Sequence, residues 1–123
     1  MVNLSNTVPP LIHKWSKAIS LMNPKLMADF YCENAVLVGT YSQPYEIGKK
    51  QILKYFEDFL NNDSMTCVIN EQTCQKIGNL CVSSGVYTFT INGESIEARF
   101  SFVCIPRNGQ MKILNHHSSV YER

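Results

Sequence analysis

The chain has 123 residues, of which 45% are hydrophobic and 17% are charged, and its formal net charge is +1. This length predicts one domain that covers residues 1–123 and buries its own core. The near-neutral charge argues against a nucleic-acid-binding protein. The charged fraction lies below the roughly 25% usual in soluble proteins, which predicts that another subunit covers part of the surface.

The cysteines indicate the compartment and the absence of a metal site. The chain has five cysteines and no C-x-x-C pair, so we expect no zinc site. No ligand spacing around the histidines suggests another metal site, and we expect no cofactor. An odd number of thiols without a signal peptide predicts reduced cysteines in a cytoplasmic protein. The longest apolar runs are too short for a membrane span, so we expect no membrane partner.

Three helices are predicted in the first half of the chain. Apolar residues at helical spacing predict the first helix from Val8 to Met22, with Thr7 as its capping residue. Asn23-Pro24 is a second helix start, and the third helix runs from about Gly48 to Leu60. A brief strand is expected at 35–38, between the second and third helices.

Four long strands are predicted after residue 61, and two Asn-Gly pairs between them are typical of type I′ hairpins. Helices followed by an antiparallel meander make an α+β fold. The strands are expected at 65–75, 80–91, 95–106 and 111–121.

The turn at Asn108-Gly109 predicts the pairing of the last two strands. Arg99 would lie opposite Ser118, Ser101 opposite His116, and Phe100 opposite His117. His117 would then share the apolar face of the sheet with Tyr87, and the helices would pack on that face. His116 would lie on the opposite face with Arg99, although a single β-bulge would exchange the two faces beyond it.

Five residues are candidates for a ligand pocket. His117 and Tyr87 could line a pocket between sheet and helices, or His117 could be a hydrogen-bonded core residue. His116 with Arg99 could hold a carboxylate, since an arginine guanidinium suits anions, or could form a polar dimer contact. Trp15 lies on the apolar side of the first helix, as part of the core or as an aromatic wall of the pocket.

Three segments are distinctive, at 30–40, at 47–56, and at 98–103 leading to Asn115-His116-His117-Ser118-Ser119. Together with the order of three helices followed by a long meander, they resemble the nuclear transport factor 2-like superfamily. The more specific resemblance is to bacterial proteins similar to the association domain of calcium/calmodulin-dependent protein kinase II. The resemblance implies a cone-shaped, curved antiparallel sheet wrapped around three N-terminal helices, also known as a cystatin-like roll.

The same resemblance implies a homodimer or larger ring and a pocket that binds a small acidic or hydrophobic ligand. The leading hypothesis is therefore a small-molecule-binding or oligomerisation module. The alternative is an enzyme of the ketosteroid isomerase or polyketide cyclase type, with His117 as its general base. Those relatives place a catalytic aspartate where this chain has Gly39 or Thr40, which weighs against the alternative.

Overall fold

The structure is a computed structural model that describes residues 3–5, 8–40 and 44–121. Its helices are α1 (Pro10–Ala18), α2 (Pro24–Ala28) and α3 (Lys49–Phe59), with a 3-10 turn at Ile19–Leu21 after α1. Its strands are β1 (Asn3–Ser5), β2 (Tyr31–Val38), β3 (Glu46–Ile47), β4 (Met65–Ile77), β5 (Leu80–Ile91), β6 (Glu94–Arg107) and β7 (Gln110–Val120). The three predicted helices and the four predicted long strands are confirmed.

Short-range signals set the ends of the helices. Pro9 is the N-cap of α1, and the predicted cap Thr7 lies outside the described residues. The first helix is shorter than predicted, since α1 ends at Ala18 and the chain continues as the 3-10 turn. That turn ends where Met22 adopts a left-handed backbone with φ 53°. Asn23 caps α2 as predicted, since its side-chain oxygen accepts a hydrogen bond from the Leu26 amide at 3.2 Å.

One curved sheet carries all the strands, in the order β1-β4-β5-β6-β7-β2-β3. The meander from β4 to β7 is antiparallel, and Asn92-Gly93 and Asn108-Gly109 have the positive φ angles of type I′ turns. The sheet as a whole is mixed, because β2 joins it parallel to β7. β2 begins at Tyr31, four residues before the predicted strand, so Tyr31 belongs to the sheet.

The core lies between the helices and the inner face of the sheet, and it includes all five cysteines as free thiols. Burial raises the pKa of the Cys67, Cys81 and Cys104 thiols to about 12. These thiols therefore stay neutral and serve as small apolar side chains. No helix within the described ranges is long and apolar enough to cross a membrane.

A β-bulge at Leu114 corrects the predicted register of β7. Cys104 pairs with Ile113 as expected, but Val103 pairs with Asn115, so Leu114 is an extra residue with no partner on β6. Beyond the bulge Phe102 lies opposite His116, and Arg99 lies opposite Ser119. The predicted faces of the two histidines are thereby exchanged.

Candidate functional site

The bulge turns His116 into the core, where aromatic rings surround it. The imidazole is 2% exposed and stacks on the ring of Phe102, its partner across the β6–β7 pair, with ring centroids 3.9 Å apart. Trp15 of α1 meets the imidazole edge-on at 5.3 Å and stacks on Tyr87 at 5.7 Å. The helix and three strands of the sheet thus converge on one buried imidazole.

Both ring nitrogens of His116 are hydrogen-bonded to tyrosines. Nδ1 lies 2.8 Å from the Tyr31 hydroxyl and Nε2 lies 3.2 Å from the Tyr87 hydroxyl. Trp15 Nε1 donates to the Tyr31 oxygen at 3.2 Å. An indole can only donate, so of these two partners of the Tyr31 hydroxyl only Nδ1 can accept its proton. We therefore assign the Tyr31 hydroxyl as donor to Nδ1 and place the proton of the imidazole on Nε2.

A hydrogen bond joins Tyr87 to Ser118, and the Ser118 Oγ lies 3.0 Å from the Thr40 Oγ1. The chain of hydrogen bonds therefore extends from the core to half-buried Thr40, just beyond β2. We call this set of side chains the histidine network; its members are Trp15, Tyr31, His116, Tyr87, Ser118 and Thr40.

Burial determines the charge state of the histidine network. It lowers the pKa of His116 to about 3, with a smaller contribution from the charge of His117. Burial also raises the pKa of Tyr31 and Tyr87 well above the ordinary value for a phenol. At neutral pH the imidazole is therefore uncharged and the tyrosines are protonated, so the network orients hydrogen bonds and does not take up a proton.

The space beside His116 is small. A cavity of about 10 Å³ adjoins the histidine network, bounded by residues that include Leu37, Gly39, Tyr55 and Phe59. This is room for about one water molecule. None of the described residues that line it is an aspartate or a glutamate, and Gly39 and Thr40 occupy the position where the isomerase-like proteins were expected to have a carboxylate.

A larger cleft lies on the other side of Tyr55 and Phe59, which line both spaces. The cleft has a volume of about 680 Å³ and lies between α3 and the β5–β6 hairpin. We call it the α3 cleft; its charged lining residues are Glu46, Lys54, Asp58 and Glu94. The two aromatic rings are thus the wall between this cleft and the histidine network.

The structure brings together three of the five candidate pocket residues. His116, Tyr87 and Trp15 meet in the core. His117 and Arg99 are exposed on the outer face of the sheet, and the Arg99 guanidinium lies 4.7 Å from the centre of the Tyr121 ring. A general base at His117 would therefore act on that outer face, and not in the interior where the alternative hypothesis placed it.

Sequence reasoning missed three members of the histidine network, Tyr31, Ser118 and Thr40. Thr40 was considered only as a position where relatives have a catalytic aspartate. Ser118 was assigned to the outer face, an error that follows from the bulge at Leu114. Tyr31 lies outside the strand predicted at 35–38, although its β-favouring run with Cys32 could have indicated an earlier strand start.

Comparison with known families supports the fold directly. A family model described as the calcium/calmodulin dependent protein kinase II association domain matches residues 5–122. A crystal structure from Xanthomonas campestris, provisionally named as such an association domain, is 33% identical. It covers 97% of this chain and 96% of its own, with a TM-score of 0.84.

More distant structures share the fold alone. A nuclear transport factor 2-like protein of unknown function from Pseudomonas putida is 15% identical, with a TM-score of 0.82, and the match covers 92% of this chain and 83% of that one. A protein from Parabacteroides distasonis, provisionally named a ketosteroid isomerase, is 17% identical, with a TM-score of 0.75 and coverage of 94% and 89%. No curated protein matches the chain.

Proposed function

Because the chain belongs to the calcium/calmodulin-dependent protein kinase II association domain family, we propose that it is a homo-oligomerisation module that self-associates through the outer face of its sheet. The name of the family refers to association, and the surface described next supports the same role for this protein. The single domain at 1–123 would be the associating unit.

The observation that carries the proposal is the composition of the outer face. One row of side chains across four strands consists of Val36, Asn115, Val103 and Val82. The neighbouring row consists of Val38, His117, Ser101 and Ser84. The central part of this face therefore presents β-branched and hydroxyl side chains with little charge, and depletion of charge is typical of the centre of an interface.

The hydroxyl groups in the second row are already arranged in an ordered way. The Ser84 and Ser101 oxygens lie 3.2 Å apart. Such short side chains lose little conformational freedom on association, so the cost of ordering the surface is small. A twofold contact would place equivalent rows of two copies against each other.

The substitution Ser101→Arg is expected to convert the oligomer to a monomer. The new guanidinium would lie in the low-charge centre of the interface without a carboxylate partner, and an unpaired charge buried in an interface costs several kcal/mol. Multi-angle light scattering should then give the chain mass of 14.0 kDa. The matched control is Ser20→Arg, which adds the same charge at an exposed serine after α1 and should leave the oligomer intact. Equal masses for the two variants would refute the assignment of this face.

The α3 cleft supports small-molecule binding as a second function. Its volume of about 680 Å³ falls in the range of ligand pockets, and it lies between a helix and the sheet. Its carboxylates, Glu46, Asp58 and Glu94, outnumber its single lysine, Lys54. With the rings of Tyr55 and Phe59 as walls, the cleft suits a small cation more than the acidic ligand that Arg99 suggested.

A thermal-shift comparison tests this second function. Tetramethylammonium is expected to raise the melting temperature more than acetate does, because a ligand stabilises the folded state that binds it. Asp58→Asn should reduce that shift, whereas Arg99→Ala on the outer face should leave it unchanged. A shift with acetate that Arg99→Ala abolishes would instead favour an anion site on the outer face.

We propose a cytoplasmic location on the basis of the thiols. The five cysteines are free and buried, a state that the reducing cytoplasm maintains.

A further inference from the structure

A second large cleft lies at the opposite end of α1 from the 3-10 turn. It has a volume of about 920 Å³ and is bounded by the first turn of α1, the β4–β5 turn and the start of β7. We call it the lysine groove. α1 begins at Pro10, and residues of its first turn line the groove together with residues of the β4–β5 and β6–β7 hairpins.

The walls of the lysine groove are mostly apolar. Val8 and Leu11 form one side, Leu80 and Met111 come from the sheet, and Phe30 lies between them. Each of these side chains is at least partly exposed to solvent, and Met111 is 38% exposed. An apolar ligand would therefore remove hydrocarbon surface from water on both partners, which is the main source of binding free energy for such a ligand.

The charged side chains of the groove all have one sign. Lys14, Lys76 and Lys112 line it, and none of the described lining residues is an aspartate or a glutamate. The salt bridges found among the described residues are made by Lys49, so these three ammonium groups keep their charge available. Lys112 is held in place because its Nζ donates to the Asp29 backbone carbonyl at 2.6 Å.

The first turn of α1 adds to this positive potential. It contains no acidic residue, and its residues Pro9, Pro10 and Leu11 line the groove. The N-terminal end of a helix carries a partial positive charge that favours an anion nearby.

We propose that the lysine groove binds one free molecule of a single-chain amphiphilic anion, such as a fatty-acid carboxylate. The carboxylate is held among Lys14, Lys76 and Lys112, and the hydrocarbon chain lies along Leu11, Phe30 and Met111. This site is separate from both the outer face and the α3 cleft, and so it does not depend on the proposed association.

Isothermal titration with a matched set of surfactants tests the proposal. Decanoate below its micelle concentration is expected to bind, and hexanoate to bind more weakly by roughly fourfold per missing methylene group. Decyltrimethylammonium has the same chain length and the opposite charge, and it is expected not to bind. Binding of the cation as tightly as decanoate would overturn the proposal, because it would show unspecific partition of the chain.

Two double variants test the location. Lys14→Gln with Lys112→Gln should weaken decanoate binding by roughly tenfold. Lys17→Gln with Lys50→Gln removes the same charge from exposed lysines outside the groove and should leave the affinity unchanged. Met111→Glu, at the exposed rim, should abolish binding by placing a carboxylate beside the ligand. Equal losses in the two double variants would overturn the assignment to the groove.

Other occupants of the groove give distinct outcomes. The protein could co-sediment with phosphatidylglycerol vesicles, lose this binding in Lys14→Gln with Lys112→Gln, and bind no decanoate. That combination would identify a membrane surface as the occupant and overturn the proposal of a free ligand. A fall in oligomer mass in the same double variant would identify a second copy of the chain. Unchanged mass together with weakened decanoate binding is the result that the proposal predicts.

Discussion

The free energy of unfolding is expected to fall by about 2 kcal/mol between pH 7.5 and pH 5 because of His116 alone. In the unfolded chain the imidazole gains a proton below its ordinary pKa of 6.5, whereas burial keeps it neutral in the folded protein until about pH 3. The unfolded state therefore binds more protons in this interval. The stability is fully present above pH 6.5 and is lost as the pH falls.

Urea unfolding at both pH values, monitored by tryptophan fluorescence, measures this loss. His116→Gln should remove most of the pH dependence, whatever its effect on stability at pH 7.5. His117→Gln is the matched control, since it changes the adjacent histidine on the exposed side of the same strand. If His117→Gln removed the pH dependence and His116→Gln kept it, the bulge and the burial of His116 would both be wrong.

Replacing Trp15 with alanine is expected to lower the free energy of unfolding by about 3–5 kcal/mol. The indole is 1% exposed, contacts the rings of Tyr87, Phe89 and Phe102, and donates a hydrogen bond to Tyr31. Its removal leaves a cavity in the core and takes a donor from the histidine network. Urea unfolding monitored by circular dichroism gives the change.

Two comparison variants separate packing from hydrogen bonding at this position. Trp15→Phe keeps an aromatic ring but loses the indole donor, and it should cost less than the alanine variant. Leu21→Ala removes a large side chain that is 67% exposed and should change stability by less than about 0.5 kcal/mol. A loss for Leu21→Ala as large as that for Trp15→Ala would contradict the position assigned to the indole.

Periodicity and turn residues were sufficient to predict most of the fold. The apolar spacing placed Trp15 on the buried side of α1, and the Asn-Gly pairs predicted the β5–β6 and β6–β7 hairpins. These signals are local, because each depends on residues a few positions apart.

The site was less predictable because it depends on contacts between distant segments. The pair Ile113-Leu114 is apolar throughout, so the sequence is compatible with either residue facing inward, and the bulge is not encoded by alternation. β2 joins β7 at this point, and its own pairing shifts between Tyr31 and Val36. The orientation of His116 is therefore fixed by three strands together.

The lysine groove could not be predicted from the sequence for the same reason. Lys14, Lys76 and Lys112 come from α1, β4 and β7, and each lysine taken singly is typical of a solvated surface. Only the folded chain shows that their charges line one apolar cleft.

The mass of the unmodified protein in solution tests the proposed association most directly. Multi-angle light scattering at micromolar concentration should give a mass of at least two chains of 14.0 kDa. A mass of one chain across the micromolar range would contradict self-association through the outer face.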